Sequence, residues 1–560
     1  MKKTAFVLLL MAAATAAGAQ TIQDALRFSE SNYEGTARTL AMGNAFTALG
    51  GDLGAVTINP AGSAVANYSQ ITITPGLNIS SNIAGGTVLA GDSSPLGFGN
   101  RLTSSETRFS VPNFGVTMNF DLHRERGLKN INIGFIANTS DRYQENVMTS
   151  GDNQTTSFTG SAAYWAGGYD FEQLMSDGAY DYYNAPWKTI VAAQSGMISN
   201  LTNAPTEYIG AAEVALDNGD GTTDIHLGGP LDQTYQRQSN GYKYDYVFNI
   251  GFNISDFVYF GANLGITSLN YDSATRFTET AIDPYDFENV FTITGEDDSE
   301  QQVTDYFNSM RYDYRYSARG TGVYGKFGII VTPLAGLRIG AAIQTPTSTT
   351  INETWSESGS TTYLLNSSFN GSAESPVGEY SYRLISPFRA NFGVAWTFGT
   401  FGLISADYEM CNYGSMKFKT LDLDSGEFDV QNSDIRDYMG TSHNIRAGIE
   451  IKPVPSFAIR AGYGLTTPAE KAMDENGVID YVYNIQKNTL RHKGSFGIGY
   501  SSKGSFFVDA ACSFTRYGNE YILPYDDYIF AEDGSVLEYT PEIMNRRTLW
   551  NVLLTFGFRF

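Results

Sequence analysis

The chain contains few residues arranged for catalysis. None of its four histidines lies in a recognisable nucleophile context, and no Gly-x-Ser-x-Gly elbow or phosphate-binding loop occurs. The run from Asp217 to Gly221 resembles part of a calcium loop but lacks the full pattern, which favours a solvated turn. We therefore expect no enzymatic activity, no bound metal and no cofactor. The histidines are His123, His226, His443 and His492.

Charged residues that alternate with apolar ones form a second set that could bind a ligand. On a lipid-facing surface each Lys or Arg would cost ~2–4 kcal/mol, so these side chains are expected to face an interior. There the cations could bind an anionic headgroup through charge-assisted hydrogen bonds, or the two signs of charge could neutralise each other. The candidate cations are Lys243, Lys326, Arg338, Arg389, Arg446 and Arg460, and the acids include Asp245, Asp407, Glu409 and Glu450.

An aromatic-rich stretch at 147–234 forms the third set. Within it Trp187, Ile190 and Val191 follow helical spacing after Pro186, a residue that often starts a helix. So many large apolar residues in a loop predict either an external groove that captures an apolar ligand or a cap that packs on itself. The candidate capture residues are Trp165, Tyr169, Phe171, Trp187 and Ile190.

β-Strands must position these residues, because apolar and polar side chains alternate along most of the chain. In the clearest run, 242–254, every second residue is Tyr, Phe or Ile. The pattern predicts fourteen strands, at about 68–82, 107–121, 130–146, 235–254, 256–274, 309–333, 336–356, 379–399, 401–420, 442–453, 456–470, 491–502, 505–523 and 544–560.

Short and long connections alternate strictly between the predicted strands. Outer-membrane barrels show this asymmetry, with tight turns on the periplasmic side and long loops outside. We therefore predict an all-β transmembrane protein, in which 67–560 forms a fourteen-stranded antiparallel barrel. Tight turns are expected at 255–256, 333–335, 399–400, 453–456 and 502–504, and long loops near 83–106, 147–234, 275–308, 357–378, 421–441, 471–490 and 524–543.

Both ends of the sequence agree with export to the outer membrane. A basic start, an apolar run at 5–17 and the small residues Ala17-Gly18-Ala19 predict a signal peptide at 1–19. The apolar run is shorter than the ~20 residues that a membrane-spanning helix needs. The last strand has an apolar face that ends on Phe560. This residue resembles the C-terminal signal of outer-membrane barrels, which makes the barrel-assembly machinery an expected partner.

Composition and charge narrow the choice further. Aromatic residues make up 14% of the chain and charged residues only 17%, and barrels use Tyr and Phe as girdles at the membrane interfaces. The net charge of −23 argues against nucleic acid as a partner. Cys411 and Cys512 lie on strands with opposite facing, so they are expected to remain free thiols.

Residues 20–66 precede the strands and lack their alternation. The stretch 35–49 is rich in small residues at helical spacing, and Gly50-Gly51 is expected to end it. Such a segment is too short to form its own core, so we predict a hatch that packs inside the barrel lumen. The candidate gating residues are Gly43, Phe46, Asn59, Pro60, Ala61 and Gly62, where Asn59-Pro60 is expected to form a rigid turn.

The hatch sequence resembles that of one family. The run Gly35-x-Ala37-Arg38-x-x-Ala41-Met42-Gly43-x-Ala45-Phe46-x-Ala48, followed by Asp52, Ala55 and Asn59-Pro60-Ala61-Gly62, resembles the N-terminal hatch of FadL/TodX-type outer-membrane transporters. Ser386-Pro387-Phe388-Arg389 also opens a strand much as in that family. The resemblance implies external capture of an apolar ligand and sideways exit through a gap at a kinked third strand, here about 130–146. It also makes Arg389 the first choice among the cations for a ligand carboxylate.

These observations predict passive transport of hydrophobic compounds, with long-chain fatty acids as the leading candidate. Sideways exit suits such a solute, because it loses hydrophobic stabilisation when it enters water. The distinct loop at 147–234 leaves the ligand open, and an uptake receptor for haem or another hydrophobe is the alternative. A barrel lipase would need a serine beside a positioned histidine, and a hatch disfavours an open porin.

Overall fold

The computed structural model describes residues 21–87, 96–201, 204–217, 223–294, 300–421, 426–471, 490–502, 504–525, 528–530, 536–538 and 541–560. The predicted signal peptide, 1–19, lies outside the described residues, as do residues 218–221 of the run that resembles a calcium loop. No helix within the described ranges is long and apolar enough to cross a membrane.

Fourteen antiparallel strands form one closed barrel, which confirms the predicted fold class. Four of the strands are interrupted and therefore carry two labels each. In chain order they are β1 Gln70–Gly86, β2 Leu102–Asp121, β3 Leu128–Arg142 with β4 Glu145–Asn153, β9 Leu231–Ile254, β10 Val258–Ala281, β12 Glu300–Leu334, β13 Leu337–Gln344 with β14 Ser348–Tyr363, β16 Gly378–Ile385 with β17 Arg389–Phe398, β18 Gly402–Asn412 with β19 Lys417–Thr420, β20 Thr441–Val454, β21 Phe457–Thr466, β22 Arg491–Ser501, β23 Phe506–Ile522 and β26 Ile543–Arg559.

The barrel closes where β1 pairs with β26. Ile73 lies opposite Phe556 and Ile79 opposite Trp550, and Ser69 and Phe560 exchange backbone hydrogen bonds of 3.0 and 3.1 Å. The predicted tight turns all lie at the same end of the barrel as Ser69 and Phe560. At the other end the strands extend further than the alternation indicates. For example, β12 begins at Glu300 rather than at 309, because its outer end pairs with a short strand, β11 Glu288–Thr294.

The outer face of the barrel is an apolar belt. Along β26 the exposed side chains are apolar and aromatic, whereas Asn551 and Thr555 are buried on the lumenal side. Water would not tolerate so large an apolar surface, but lipid covers it. The protein is therefore a transmembrane barrel of the Gram-negative outer membrane. Cys411 faces the lumen and Cys512 the outside, and both are free thiols. The exposed residues of β26 are Trp550, Val552, Leu554, Phe556 and Phe558.

The hatch lies inside the lumen. It consists of helix α1 Ile22–Ser29, helix α2 Ala37–Ala41 and two 3-10 turns, Gly54–Thr57 and Pro60–Val65. The prediction that the helical stretch continues to Gly50 is wrong. Helix α2 ends at Ala41 because the next residues, Gly43 and Asn44, adopt left-handed φ values of 64° and 63°.

A folded cap covers the extracellular end of the barrel. The predicted loop at 147–234 is shorter than expected, since β4 continues to Asn153 and β9 begins at Leu231. The residues between them pack on the outer ends of the barrel strands in one apolar cluster. The cap contains helices α3 Phe158–Ala166, α4 Phe171–Leu174, α5 Ala179–Tyr182 and α6 Trp187–Gln194 and strands β5 Ile198–Leu201, β6 Ala204–Gly210, β7 Glu213–Asp217 and β8 Thr223–Leu227. Elsewhere on this side lie β15 Gly371–Glu374, α7 Asp429–Tyr438, β24 Tyr528–Phe530 and β25 Val536–Glu538.

Candidate functional site

Asn59 ties the hatch to the barrel wall. Its side-chain amide donates to Thr47 O (2.6 Å) within the hatch and to Ile329 O (3.2 Å) on β12, while its Oδ1 accepts from Ala61 N (3.0 Å). Pro60 follows as the first residue of the 3-10 turn, where a missing N–H costs nothing. The Asn-Pro pair therefore forms both the rigid turn predicted from the sequence and a bridge to the wall.

Glycines in the wall allow the hatch to approach this closely. A Cβ on Gly328 would lie 1.9 Å from Asn59 Oδ1, and one on Gly261 would lie 2.2 Å from the Pro60 carbonyl carbon. Any side chain there would push the hatch out of its seat. The remaining predicted gating residues are also buried in the lumen, namely Gly43, Phe46, Ala61 and Gly62.

Four of the predicted lumenal cations bind backbone carbonyls of the hatch. Arg389 donates to Ser29 O (2.6 Å), Arg338 to Leu49 O (2.6 Å) and Lys326 to Thr57 O (2.7 Å). Lys243 is bound in the same way, to Phe28 O (3.1 Å) and Glu30 O. In this state these cations hold the hatch in place.

The other two predicted cations belong to ion-pair networks. Arg446 and Arg389 share Glu409, each at 3.2 Å. Arg460 pairs with Glu450 (2.6 Å), which also pairs with Arg38 of the hatch (2.9 Å). Buried charges are stable only when they are paired in this way.

Lys493 is a lumenal cation that is not among the predicted ones, and it has no such partner. Among the lumen-facing Lys and Arg residues that the structure describes, Lys493 alone makes neither an ion pair nor a hydrogen bond. It lines a polar cavity of about 60 Å³ together with Arg142, Arg491 and Arg446, whose Nε has no partner. The alternation could have identified Lys493, since it shares parity with the lumen-facing Ser495.

The barrel wall is interrupted between β2 and the third strand. The β2–β3 ladder runs only from Asp121 to Asn113, which lies opposite Asn138. The next residue outward on β2 is Pro112, which has no N–H to donate to a neighbouring strand. Beyond it, β2 pairs with β1 alone, and its other edge stays open up to Asn100, which forms a backbone bridge with Ser150 of β4. The third strand, for which the family resemblance implies a kink, has a break in register here at Thr139–Asp141 and an interruption between β3 and β4.

The hatch takes the place of β2 beside the kinked strand. Asn32 N donates to Ser140 O (2.5 Å) and Glu34 N to Thr139 O (3.2 Å). Backbone groups in lipid or in a dry interior must be paired, so this contact stabilises β3 after it has left β2. The hatch and the open wall are therefore parts of one hydrogen-bonded unit.

Side chains span the open wall. On the lumenal side Arg142 binds Glu34 of the hatch (2.6 Å) and Ser110 Oγ of β2 (2.8 Å). On the outer side the Tyr244 hydroxyl donates to Val111 O (2.6 Å), a carbonyl that has lost its strand partner. A side chain can rotate away without unfolding a strand, so this stretch is the wall's most easily opened part.

An aromatic cluster leads from the cap to the open wall. Phe28 of α1 packs edge-on against Tyr271 (5.7 Å) and against Tyr143 (6.2 Å), which lies at the break between β3 and β4. The cluster also contains Leu269, Tyr316, Ile351, Tyr382 and Leu384. The described structure thus has an apolar lining on this side, with helix α1 packed into it.

The predicted capture residues lie in the cap, and each aromatic one packs against a neighbouring aromatic ring. Trp187 contacts Tyr180 (5.7 Å) and Trp355 (5.8 Å), and Ile190 is fully buried beneath them. The remaining contacts within this group are Trp165 with Tyr164, Tyr169 with Tyr183 and Phe171 with Tyr208, at 5.4, 5.8 and 6.1 Å. The loop is therefore a packed cap in this state.

Comparison with known proteins finds similarity only among solved structures, at low sequence identity. Neither a family model nor a curated protein matches the sequence. Among solved structures, a FadL homologue from Pseudomonas aeruginosa aligns at 11% identity over 94% of this chain and 98% of its own, with a TM-score of 0.46. The toluene transporter TbuX from Ralstonia pickettii aligns at 13% identity over 94% and 99%, with a TM-score of 0.44. A mutant of the monoaromatic hydrocarbon channel TodX aligns at 12% identity over 94% and 99%, with a TM-score of 0.48. At these identities and scores the similarity is limited to the path of the backbone.

Proposed function

We propose that this protein is a FadL/TodX-type channel for hydrophobic compounds, in which ligand passes the hatch and leaves sideways between β2 and the kinked third strand. The open wall carries the proposal. A barrel gains nothing from an unpaired edge facing lipid, where each unsatisfied backbone group is costly. An opening that single hydrogen bonds from Arg142, Gln144, Tyr244 and Ser104 span in place of a strand ladder is therefore a feature that transport would explain.

The position of the opening suits a solute that prefers lipid to water. Phe109 and Val111 are exposed on the outer face of β2 beside it, 70% and 36% respectively. A molecule that leaves here enters the hydrocarbon layer and keeps its hydrophobic stabilisation. A water-filled pore would instead require it to cross the periplasm.

The ligand in this proposal is a long-chain fatty acid. A buried carboxylate needs a cation or it takes up a proton. Arg389, the cation preferred from the sequence, is bound to Ser29 O and Glu409, so it becomes available only when the hatch moves. Lys493, in the polar cavity beside the hatch, needs no such movement. In this proposal Lys493 is the first cation to meet the ligand.

The aromatic cap and the C-terminal residue have supporting roles in the proposal. Trp165, Tyr169, Phe171, Trp187 and Ile190 would form an external capture site once the cap loosens. Phe560 would be read by the barrel-assembly machinery, and Phe560→Ala is expected to lower the amount of protein in the outer membrane. Equal amounts of variant and parent would show that the residue is incidental.

Uptake of labelled oleate is the direct test. Cells that lack their own fatty-acid route should accumulate oleate when they express this chain and should not do so with an empty vector. If haem or another hydrophobe enters while oleate does not, the fatty-acid assignment is wrong and the transport class stands. If no hydrophobe enters, the proposed function is wrong.

A further inference from the structure

A group of basic side chains lies on the outside of the barrel, just above the apolar belt. The outward-facing rows of β22, β23 and β26 carry His492, Arg516 and Arg546 towards their extracellular ends. His492 lies directly opposite Arg516, and Arg516 lies opposite Thr548, two residues from Arg546. Neighbouring strands are about 4.8 Å apart, so the three side chains form one patch about 10 Å wide.

The patch lies at the height of the lipid headgroups. Phe514 and Trp550 are in contact in the belt below it, with ring centroids 4.7 Å apart and ring planes tilted by 52°. From Phe506 at the start of β23 to Arg516, the strand rises about 33 Å, which corresponds to roughly 25 Å of height at a 40° tilt. An apolar band of a barrel is about 25 Å tall. Arg516 therefore lies at the outer edge of the hydrocarbon layer.

The two arginines of this patch lack acidic partners. Among the described residues, Arg516 makes no ion pair and Arg546 makes only a hydrogen bond to Asn519 Oδ1 (3.3 Å). On the wall formed by β10 and β12, by contrast, three of the four outward-facing arginines bind an acid, and Arg315 is the exception. Arg319 binds Asp272 (2.7 Å). In a chain with a net charge of −23, adjacent unpaired cations on the lipid-facing side need an anion from elsewhere.

An apolar groove lies beside the patch on the same outer face. It has a volume of about 850 Å³ and exists because β18, β20 and β21 carry outward-facing Ala406, Ala447 and Ala461 between larger residues. Trp396 lines its periplasmic part and Tyr463 its extracellular part. Tyr463 also hydrogen-bonds His492 Nδ1 (2.7 Å), which joins the groove to the basic patch.

We propose that this outer face binds a phosphorylated glycolipid of the outer leaflet. Its phosphates contact Arg516, Arg546 and His492, and one of its acyl chains lies in the groove. Arginine is suited to this role because its planar group binds phosphate through two parallel hydrogen bonds. Attraction between basic side chains and anionic headgroups supplies the remaining affinity. This site is separate from the transport route and does not depend on it.

Native mass spectrometry of the detergent-extracted full-length protein tests the proposal. The probes are hexa-acylated lipid A with two phosphates and the same lipid without phosphate. We expect the parent to bind the phosphorylated form more tightly and Arg516→Ser with Arg546→Ser to weaken that binding by about fivefold for each arginine. The matched control is Arg319→Ser, which removes an outward-facing arginine that already has an acidic partner and should leave binding unchanged.

The groove is tested separately by Ala447→Phe with Ala461→Phe. This variant should weaken binding of both lipids, because the acyl chain loses its place. Heat-modifiable migration on gels verifies that each variant is folded. Equal binding of phosphorylated lipid A by the parent, the double arginine variant and the Arg319→Ser control would overturn the proposal. So would equal binding of the two lipids by the parent.

Discussion

The seam between β1 and β26 and the boundary between β2 and the third strand are both places where the wall could open, and they differ in one respect. At the seam the ladder runs from Gln70 to Gly86 with a single break, beside Pro75. At the boundary the backbone ladder stops at Asn113, beside Pro112, and side-chain hydrogen bonds replace it. A proline alone therefore does not open a barrel wall. The difference is that the hatch, through Asn32 and Glu34, supplies β3 with an alternative partner.

The largest expected effect comes from removing the hatch altogether. Deletion of 21–65 leaves every barrel strand intact, so we expect a heat-modifiable barrel that conducts ions in planar bilayers, whereas the parent stays closed. The physical reason is that the hatch fills the lumen through contacts such as Asn59 with Ile329 and Lys326 with Thr57. A deletion variant that does not assemble, or that assembles and stays closed, would contradict this view of the hatch.

Displacing the hatch should have the next largest effect. Gly328→Val places a side chain on Asn59, since even a Cβ would lie 1.9 Å from its Oδ1. We expect the variant barrel to form and to show ion leakage intermediate between the parent and the deletion. The matched control is Gly325→Val on the same strand, where a Cβ would meet nothing nearer than 3.8 Å. Equal conductance of the two variants would mean that the contact between Asn59 and the wall at Gly328 does not hold the hatch.

The free lumenal cation should affect ligand choice rather than closure. We expect Lys493→Ala to weaken the apparent affinity for oleate by about tenfold, the value of one hydrogen bond to a charged group, and to leave entry of uncharged hexadecanol unchanged. Lys129→Ala provides a control, because Lys129 pairs with Asp256 (2.5 Å) at the periplasmic turns. Transport assays at low ligand concentration measure the entry of oleate and of hexadecanol for both variants. An equal loss for oleate and hexadecanol would assign Lys493 a structural role.

The smallest effect concerns the cap above the kinked strand. Glu279 accepts hydrogen bonds from Phe158 N (2.7 Å) and Ser157 Oγ (2.8 Å) at the start of α3, and burial raises the pKa of its carboxyl to about 7. The pKa of an unfolded Glu is about 4.3, so this group's contribution to stability is full below that pH and is lost as pH rises through 7.

Hydrogen exchange of the α3 amides, corrected for the intrinsic rate, measures this dependence. We expect protection to decrease between pH 5 and pH 8 in the parent and to stay constant over that range in Glu279→Gln. The same decrease in both proteins would show that another group controls the cap.

The sequence predicts the barrel well because alternation has a direct physical cause. A residue that faces lipid must be apolar and its neighbour need not be, so β9 and β26 could be assigned from their residues alone. The Asn59-Pro60 turn was also predictable, because proline restricts the residue before it. Hatch residues 35–49 were assigned too long a helix, since the left-handed turn at Gly43 and Asn44 depends on the wall that surrounds it.

The state of the lumenal charges could not be predicted in the same way. Alternation places Arg389 and Arg338 inside, but it does not show that each already binds a hatch carbonyl. Lys493 remains free because no hatch carbonyl or acid reaches it, and that depends on the course of residues 30–44 through the lumen. The open wall could not be predicted either. It depends on Pro112 and on the hydrogen bond between Asn32 and Ser140, and these residues are far apart in the sequence.

Reversible closure of the open wall tests the central claim most directly. Ser104 of β2 hydrogen-bonds Asn146 of β4 across the gap, so Ser104→Cys with Asn146→Cys can be joined by a short reducible bis-thiol reagent in a background with Cys411 and Cys512 changed to Ser. Ser81→Cys with Thr548→Cys places the same cross-link across the closed seam. We predict that oleate uptake stops when the gap is cross-linked, recovers on reduction, and is unaffected by the cross-link at the seam. Undiminished uptake with the gap cross-linked would contradict sideways exit.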